Sequence, residues 1–67
     1  MLITDIGHLV KETRKAQGLT QEQLAAISGV GTRFVRELEQ GKETCQIGKA
    51  FTVLQMLGLH IHIGGDE

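Results

Sequence analysis

The feature that most constrains this fold is a pair of short amphipathic helix patterns separated by Gly29-Val30-Gly31. The first pattern opens with Thr20 as N-cap and Gln23 three positions later, so that each side chain can satisfy the other residue's backbone N–H. It continues through an apolar stripe and ends near Ser28. The glycines supply a sharp turn, with Val30 directed back to the core. Two short helices joined at an angle are therefore predicted.

The second of these helices is predicted from about Thr32 to Gly41, with Val35 and Leu38 buried. Arg33 and Arg36 lie in its opening turns, although the chain carries a formal net charge of −1. All seven Lys and Arg lie between positions 11 and 49, against five acidic residues there, which leaves a local balance of +2. Local charge decides whether a surface can meet phosphates, so these arginines point to a polyanionic partner.

Two further helical patterns flank this pair. The first helix has an apolar face and ends at Gly18, and its charged side chains are predicted to face outward. A fourth pattern follows the loop through Thr44 and Cys45. The residues on the predicted buried face of the first helix are Ile6, Leu9, Val10 and Thr13. Those predicted to face outward are Lys11, Glu12, Arg14 and Lys15. The fourth helix is predicted to place Ile47, Ala50, Phe51, Leu54 and Leu57 on one face.

After Gly58, residues 59–63 alternate between apolar and polar with a period of two, which predicts a strand. A lone strand leaves its backbone groups unpaired, so Leu59, Ile61 and Ile63 are predicted to form a dimerisation strand. The partner is the same strand of a second copy or residues 1–3. A chain of 67 residues also buries only about 60% of its unfolded surface. Both considerations favour a homodimer.

Cysteine and histidine usage excludes the other ways of stabilising so small a domain. Cys45 is the only cysteine, so an intramolecular disulfide is impossible. The three histidines show no zinc-type spacing with it, and His60 and His62 offer two ligands without a third. We therefore expect no metal and no cofactor. No signal-peptide or membrane-span pattern is present, so we expect no membrane partner. The free thiol of Cys45 favours the reducing cytoplasm.

Catalytic interpretations of the sequence also fail. Gly29-Val30-Gly31 begins like a dinucleotide fingerprint, but Phe34 stands at its last glycine position and no strand precedes it. No Walker sequence is present, and so short a chain has little room for a water-excluding pocket. We expect neither an enzyme nor a small-molecule substrate.

The spacing of the central helices predicts a helix-turn-helix, and its chemistry suits double-stranded DNA. The second helix can enter the major groove, where its first turns reach base edges. Helix N-termini favour a nearby phosphate. Gln21 and Gln23, which open the preceding helix, are long neutral donors placed for phosphate oxygens.

The sequence resembles the lambda-repressor-like helix-turn-helix family in GLTQEQLA, SGV and LEQGK. The resemblance covers about residues 5–58 and implies cytoplasmic DNA-binding regulators. GVGTRFVRELEQGKETCQIGKAFTVLQMLGL is especially similar to HipB-type antitoxins. That likeness implies a dimer paired through a C-terminal strand, repression of its own operon and binding of a HipA-type serine/threonine kinase toxin. LHIHIGG stands where the strand belongs. We predict one all-α domain over 1–67, with a helical core at 5–58 and the strand at 59–63.

Site residues follow from this resemblance position by position. Thr32, Arg33 and Glu37 match the base-reading positions of the family, and Glu37 has an alternative role as a helical partner of Arg33 or Arg36. Gly31 departs from the family, because it replaces the usual Ser or Thr N-cap. The residues expected at the DNA backbone are Gln21, Gln23, Arg36 and Lys42.

Function is therefore predicted as a dimeric, sequence-specific repressor that reads an inverted repeat, and as the antitoxin of a toxin–antitoxin operon. Two alternatives stay open. One is a stand-alone phage or plasmid repressor without a toxin. The other is a protein-interaction module that uses Ile27, Phe34 and the strand to hold a partner and does not bind DNA.

Overall fold

The computed structural model describes the backbone of residues 3–43 and 46–59, and the side chains from residue 5 onward within these ranges. The described part contains four α-helices and no strand, in agreement with the predicted all-α helix-turn-helix domain. Their bounds are α1 Ile3–Ala16, α2 Gln21–Ser28, α3 Thr32–Glu39 and α4 Ile47–Met56. Ile3 lies in α1, which argues against residues 1–3 as the strand partner, one of the two candidates that the sequence left open.

Local signals at the helix ends are confirmed. Thr20 accepts a hydrogen bond from the Gln23 backbone N–H at 3.0 Å, and Gln23 Oε1 accepts one from the Thr20 N–H at 2.8 Å. This reciprocal pair begins α2 as the sequence predicts. Gly29 ends α2 with φ 71°, a left-handed conformation that glycine adopts without steric cost. The chain then turns into α3, and Val30 packs against the core as expected.

The core lies between the four helices, and nine of the described residues are apolar and buried in it. They are Val10, Leu24, Ala25, Val35, Leu38, Ala50, Val53, Leu54 and Leu57. Val53 is fully buried although the sequence analysis did not place it there. Ile47 was predicted to share the buried face of α4, and that prediction is wrong, because its side chain is 64% exposed. It lies in the first turn of α4, at the edge of the packed region.

Arg14 is the main correction to the predicted fold. It was expected to face outward with its charged neighbours, yet the residue is only 8% exposed. Its Nε donates to Glu39 Oε2 at 2.6 Å, Nη2 donates to Glu39 Oε1 at 3.2 Å, and Nη1 donates to the Leu19 carbonyl at 2.8 Å. The buried charges are thus paired, which is what burial of charge requires. This ion pair joins the end of α1 to the end of α3.

The backbones of α1 and α3 approach each other closely at Gly7. A Cβ at this position would collide with the Leu38 carbonyl oxygen and would lie 3.0 Å from the Glu39 carbonyl oxygen. Only glycine lets the two backbones pack at this separation. The contact lies one turn beyond the buried Val35 and sets the position of α3 against α1.

Hydrogen bonds from Gln17 and Leu59 contribute to the end of α4. Gln17 Nε2 donates to the Leu57 carbonyl at 2.8 Å, and the Leu59 N–H donates to the Leu54 carbonyl at 2.9 Å. Leu59, which was assigned to the dimerisation strand, is half-buried and packs against the core. The rest of the predicted strand, including Ile61 and Ile63, lies outside the described residues, as do Cys45, His60 and His62.

Candidate nucleic-acid interface

An open groove lies where the start of α2 meets the first two turns of α3. Gln21, Thr32 and Arg36, three residues assigned to DNA from the sequence, line this groove together. Thr20 and Glu22 complete its rim, and Arg14 and Leu19 also contribute to its lining. The N-terminal turn of α2 opens into the same groove, so its backbone N–H groups and the positive end of the helix dipole favour an anion there.

A second cluster forms on α3 around Glu37. Arg33 Nε donates to Glu37 Oε2 at 3.1 Å, and Lys42 Nζ lies 3.5 Å from the same oxygen. The Arg33 side chain is 84% exposed, and the Glu37 side chain 34%. Among the described residues, Arg33 Nη1 and Nη2 have no protein hydrogen bond. The pairing of Glu37 with Arg33 is the helical alternative that the sequence analysis kept open, and Lys42 is an additional partner.

The backbone explains why Lys42 reaches Glu37. Gly41 has φ 79°, and this left-handed residue turns the chain back over the last turn of α3. The Gly41 N–H then donates to the Leu38 carbonyl at 3.0 Å, and the Lys42 N–H donates to the Glu37 carbonyl at 3.0 Å. This is a Schellman termination, which satisfies carbonyls at a helix end. Lys42 is consequently anchored to Glu37 through both its backbone and its side chain.

The electrostatics of the cluster keep Glu37 ionised. The hydrogen bond from Arg33 lowers the pKa of the Glu37 carboxyl below its ordinary value, and the positive charges of Lys42 and Arg33 act in the same direction. Partial burial opposes them without reversing the shift. The negative carboxylate therefore offsets the positive charges of Arg33 and Lys42 in the predicted interface.

The two glutamines assigned to the DNA backbone already have protein partners. Gln21 Nε2 donates to Glu39 Oε1 at 3.0 Å, which ties α2 to the buried ion pair. Gln23 uses its carbonyl oxygen in the capping box. Each side-chain amide carries two N–H groups, so both residues keep donor capacity. Gln23 does not line the groove, in contrast to Gln21.

Lys49 is a candidate that the sequence analysis missed. Its Nζ lies 5.9 Å from the centroid of the Phe34 ring, within the range of a cation–π contact. Phe34 is half-buried and packs against the core, as the sequence favoured. The contact places an exposed cation from α4 beside the first turn of α3. A lysine in the first turn of the helix that follows the motif is the signal that could have identified it.

Gly31 is the N-cap of α3, with φ −78° and ψ 152°, and α3 has no side-chain cap hydrogen bond. This agrees with the departure noted in the sequence. Within the described ranges, no group of three or more His, Cys, Asp or Glu side chains could hold a metal ion. In the same part of the chain, no helix has the length and apolar character needed to cross a bilayer.

Comparison with known proteins agrees with this geometry. The sequence profile of the family described as Helix-turn-helix matches residues 10–62. The chain is also 56% identical over 59 residues to y4mF of Sinorhizobium fredii (strain NBRC 101917 / NGR234), an uncharacterized HTH-type transcriptional regulator. That alignment covers 88% of this chain and 78% of the relative. The chain belongs to the lambda-repressor-like helix-turn-helix family and is a DNA-binding transcriptional regulator.

Proposed function

We propose that this regulator is a homodimeric repressor that reads an inverted repeat, with α3 of each copy in the major groove. The observation that carries the proposal is the arrangement at the front of α3. Thr32 and Arg36 line the groove at the start of α2, while Arg33 extends an 84% exposed guanidinium from the next position. Thr32, Arg33 and Glu37 would face bases, and Gln21, Gln23, Arg36 and Lys42 would face phosphates.

The proposed dimer uses residues 59–63 as a strand that pairs across a two-fold axis, beside a helical core at residues 5–58. Two recognition helices in successive major grooves then require half-sites about 10 bp apart. The small core supports this proposal, because a domain of this size gains from association. Leu59, already packed against the end of α4, would connect the strand to that core.

The finer assignment is to the HipB-type antitoxins, with repression of the chain's own operon and a HipA-type serine/threonine kinase toxin as partner. It is supported by the similarity of residues 29–59 to that group. The relative y4mF is itself named as a transcriptional regulator, which supports the regulatory part of the assignment.

Selection of bound fragments from genomic DNA, with the purified full chain, tests the proposal. We expect enrichment of one inverted repeat, located upstream of the chain's own gene, and light scattering should report a dimer. Co-expression with the product of the neighbouring gene should give a stable complex if that product is a kinase. Enrichment without any kinase partner would favour the stand-alone repressor, whereas kinase binding without enrichment would favour the interaction module that exposes Ile27, whose side chain is 50% exposed.

A further inference from the structure

We propose that Glu37 determines selectivity by acting through its neighbours: its carboxylate holds Arg33 in a base-reading orientation and holds Lys42 back from phosphates. The inference rests on the proposed function and deepens it. Glu37 is then a positioning residue, which improves discrimination between sequences and weakens nonspecific binding. Direct reading of a cytosine by Glu37 is the competing explanation.

The orientation of Arg33 is restrained by Glu37. Its Nε is engaged by Glu37 Oε2 at 3.1 Å, so the bond holds the side of the guanidinium that faces the helix. The Arg33 side chain is 84% exposed, and its two Nη groups have no hydrogen-bond partner among the described residues. They form the fork that matches the O6 and N7 acceptors of guanine. An arginine tethered at Nε has fewer orientations to lose when it meets a base, so the correct contact forms at a smaller entropic cost.

Lys42 is held by the same carboxylate. Its Nζ lies 3.5 Å from Glu37 Oε2, the same atom that binds Arg33. The hydrogen bond from the Lys42 N–H to the Glu37 carbonyl keeps the two residues adjacent whatever the side chains do. A phosphate must compete with this carboxylate for the ammonium. Because phosphate contacts supply sequence-independent affinity, such competition lowers binding to all DNA and leaves the base contact of Arg33 intact.

The Glu37 carboxylate is placed to act on both Arg33 and Lys42. Arg33 precedes Glu37 by four residues, a spacing at which two side chains are neighbours on a helix surface. Lys42 follows the helix end and is brought to the same carboxylate by the turn at Gly41. The residue thus joins the front and the end of the recognition helix in one charge cluster. Direct reading of a base by Glu37 would require neither of these contacts.

The pairing is first tested in the free protein, without DNA. In ¹⁵N-edited NMR spectra, the Arg33 Nε–H signal should shift as the Glu37 carboxyl titrates, and the shift should be absent in Glu37→Gln. Glu43→Gln is the matched control, since it removes an exposed acid next to Lys42 on the chain. An Arg33 signal that ignores the titration, or that behaves alike in both variants, would overturn the inference.

The consequence is tested by anisotropy titrations with the selected operator and a random duplex at several salt concentrations. Glu37→Gln should lose roughly tenfold of its operator preference, within the range of one base contact. Binding to the random duplex should become stronger, with a salt slope steeper by part of the roughly 0.9 of one phosphate contact, because Lys42 is released from the carboxylate. Glu43→Gln should keep the wild-type preference.

A double-mutant cycle separates positioning from direct reading. Once Arg33→Ala is present, adding Glu37→Gln should leave operator preference unchanged, because Glu37 acts through Arg33. A second loss of similar size in that background would mean that Glu37 reads a base itself, and would overturn this inference alone. A wild-type protein without preference for any duplex would instead overturn the proposed function, and this inference with it.

Discussion

Arg14 and Glu39 form a buried ion pair between the first and third helices, with Arg14 Nε 2.6 Å from Glu39 Oε2. Their side chains are 10% and 3% exposed. Gln21 also donates to Glu39, so the pair connects α1, α3 and the first residue of α2. The groove proposed for DNA is built directly on this connection, because Arg14 and Gln21 both line it.

Arg14→Met should destabilise the protein by about 3–5 kcal/mol, because it leaves the Glu39 carboxylate buried without its cation. Urea unfolding followed by circular dichroism measures the change. Lys15→Met is the matched control, since Lys15 is exposed on the same helix and should be nearly neutral. The double variant Arg14→Met with Glu39→Met should recover part of the loss, because neither charge remains. Equal unfolding midpoints for Arg14→Met and Lys15→Met would contradict the buried pair.

Gly7→Ala should destabilise the protein by about 1–3 kcal/mol, because the new methyl group overpacks the contact between α1 and α3. A Cβ at Gly7 meets the Leu38 carbonyl oxygen, which belongs to backbone and cannot move aside cheaply. Gly48→Ala is the control, as a Cβ there has no atom within 4 Å. It should stabilise the protein by about 0.4–1 kcal/mol. Similar gains for both variants in chemical denaturation would show that α1 and α3 are not this close.

The elements predicted correctly from the sequence are those determined by local signals. The capping box of Thr20 and Gln23 and the left-handed Gly29 involve residues at most a few positions apart, so the sequence contains all the information they need. The burial of Arg14 depends instead on Glu39, which is 25 positions away. Gly7, Val10 and Arg14 share one helical face, and this periodicity is the sequence signal that could have predicted the burial of Arg14.

The error at Ile47 has a different cause. Periodicity gives the phase of a helix face, and Ile47 does share the phase of Ala50 and Leu54. It does not show how far along the helix the neighbouring elements extend. Ile47 is the first residue of α4, and its side chain remains exposed although Ala50, one turn further on, is buried. In the site, the groove residues followed from the motif, whereas the link from Glu37 to Lys42 required the turn after α3.

Arg33→Ala should lower operator preference by about 5- to 150-fold, the equivalent of the 1–3 kcal/mol carried by one bidentate base contact. Lys42→Ala should weaken binding to operator and random duplex alike and flatten the salt slope by less than the roughly 0.9 of a full phosphate contact, because Glu37 competes for the ammonium. Anisotropy titrations across a salt series measure both effects. Lys11→Ala, an exposed cation on α1, serves as the control and should change little. Wild-type selectivity in Arg33→Ala would show that the assigned base-reading role is wrong.

Stability should depend on pH through Glu37. The hydrogen bond from Arg33 lowers the pKa of this carboxyl in the native state, and unfolding restores its ordinary value. Between the lowered native pKa and the ordinary pKa, the unfolded state therefore binds more protons than the native state does. The stabilising contribution is present above the ordinary pKa and is lost as the pH falls through the lowered native pKa. The difference in unfolding free energy between wild type and Glu37→Gln should be constant above the ordinary pKa of the carboxyl and should narrow as the pH falls below it.

Urea unfolding at a series of pH values measures that difference, with Glu43→Gln as the comparison. The gap between wild type and Glu43→Gln should change less, because no described hydrogen bond or ion pair of Glu43 is observed. A gap for Glu37→Gln that stays constant over the whole pH range would contradict the paired carboxylate.

Gly31→Ser should stabilise the start of the recognition helix. Gly31 already has the extended backbone of an N-cap, and a Cβ there meets nothing within 4 Å. A serine hydroxyl can accept the Phe34 backbone N–H, which lies three positions into the helix. The expected gain is about 0.5 kcal/mol, or a rise of roughly 2–4 °C in Tm for a domain of this size.

Gly31→Ala separates the contribution of the hydroxyl cap from that of the restricted unfolded chain. Alanine restricts the unfolded chain much as serine does, but it has no side-chain acceptor for the helix N-terminus. Thermal unfolding should therefore rank serine above alanine at this position. The serine hydroxyl also lies next to Thr32 on the chain, so it can donate to a phosphate and strengthen binding to every duplex by a similar factor. A serine variant no more stable than the alanine variant would mean that α3 gains nothing from a side-chain cap. The departure from the family at Gly31 would then be neutral for folding.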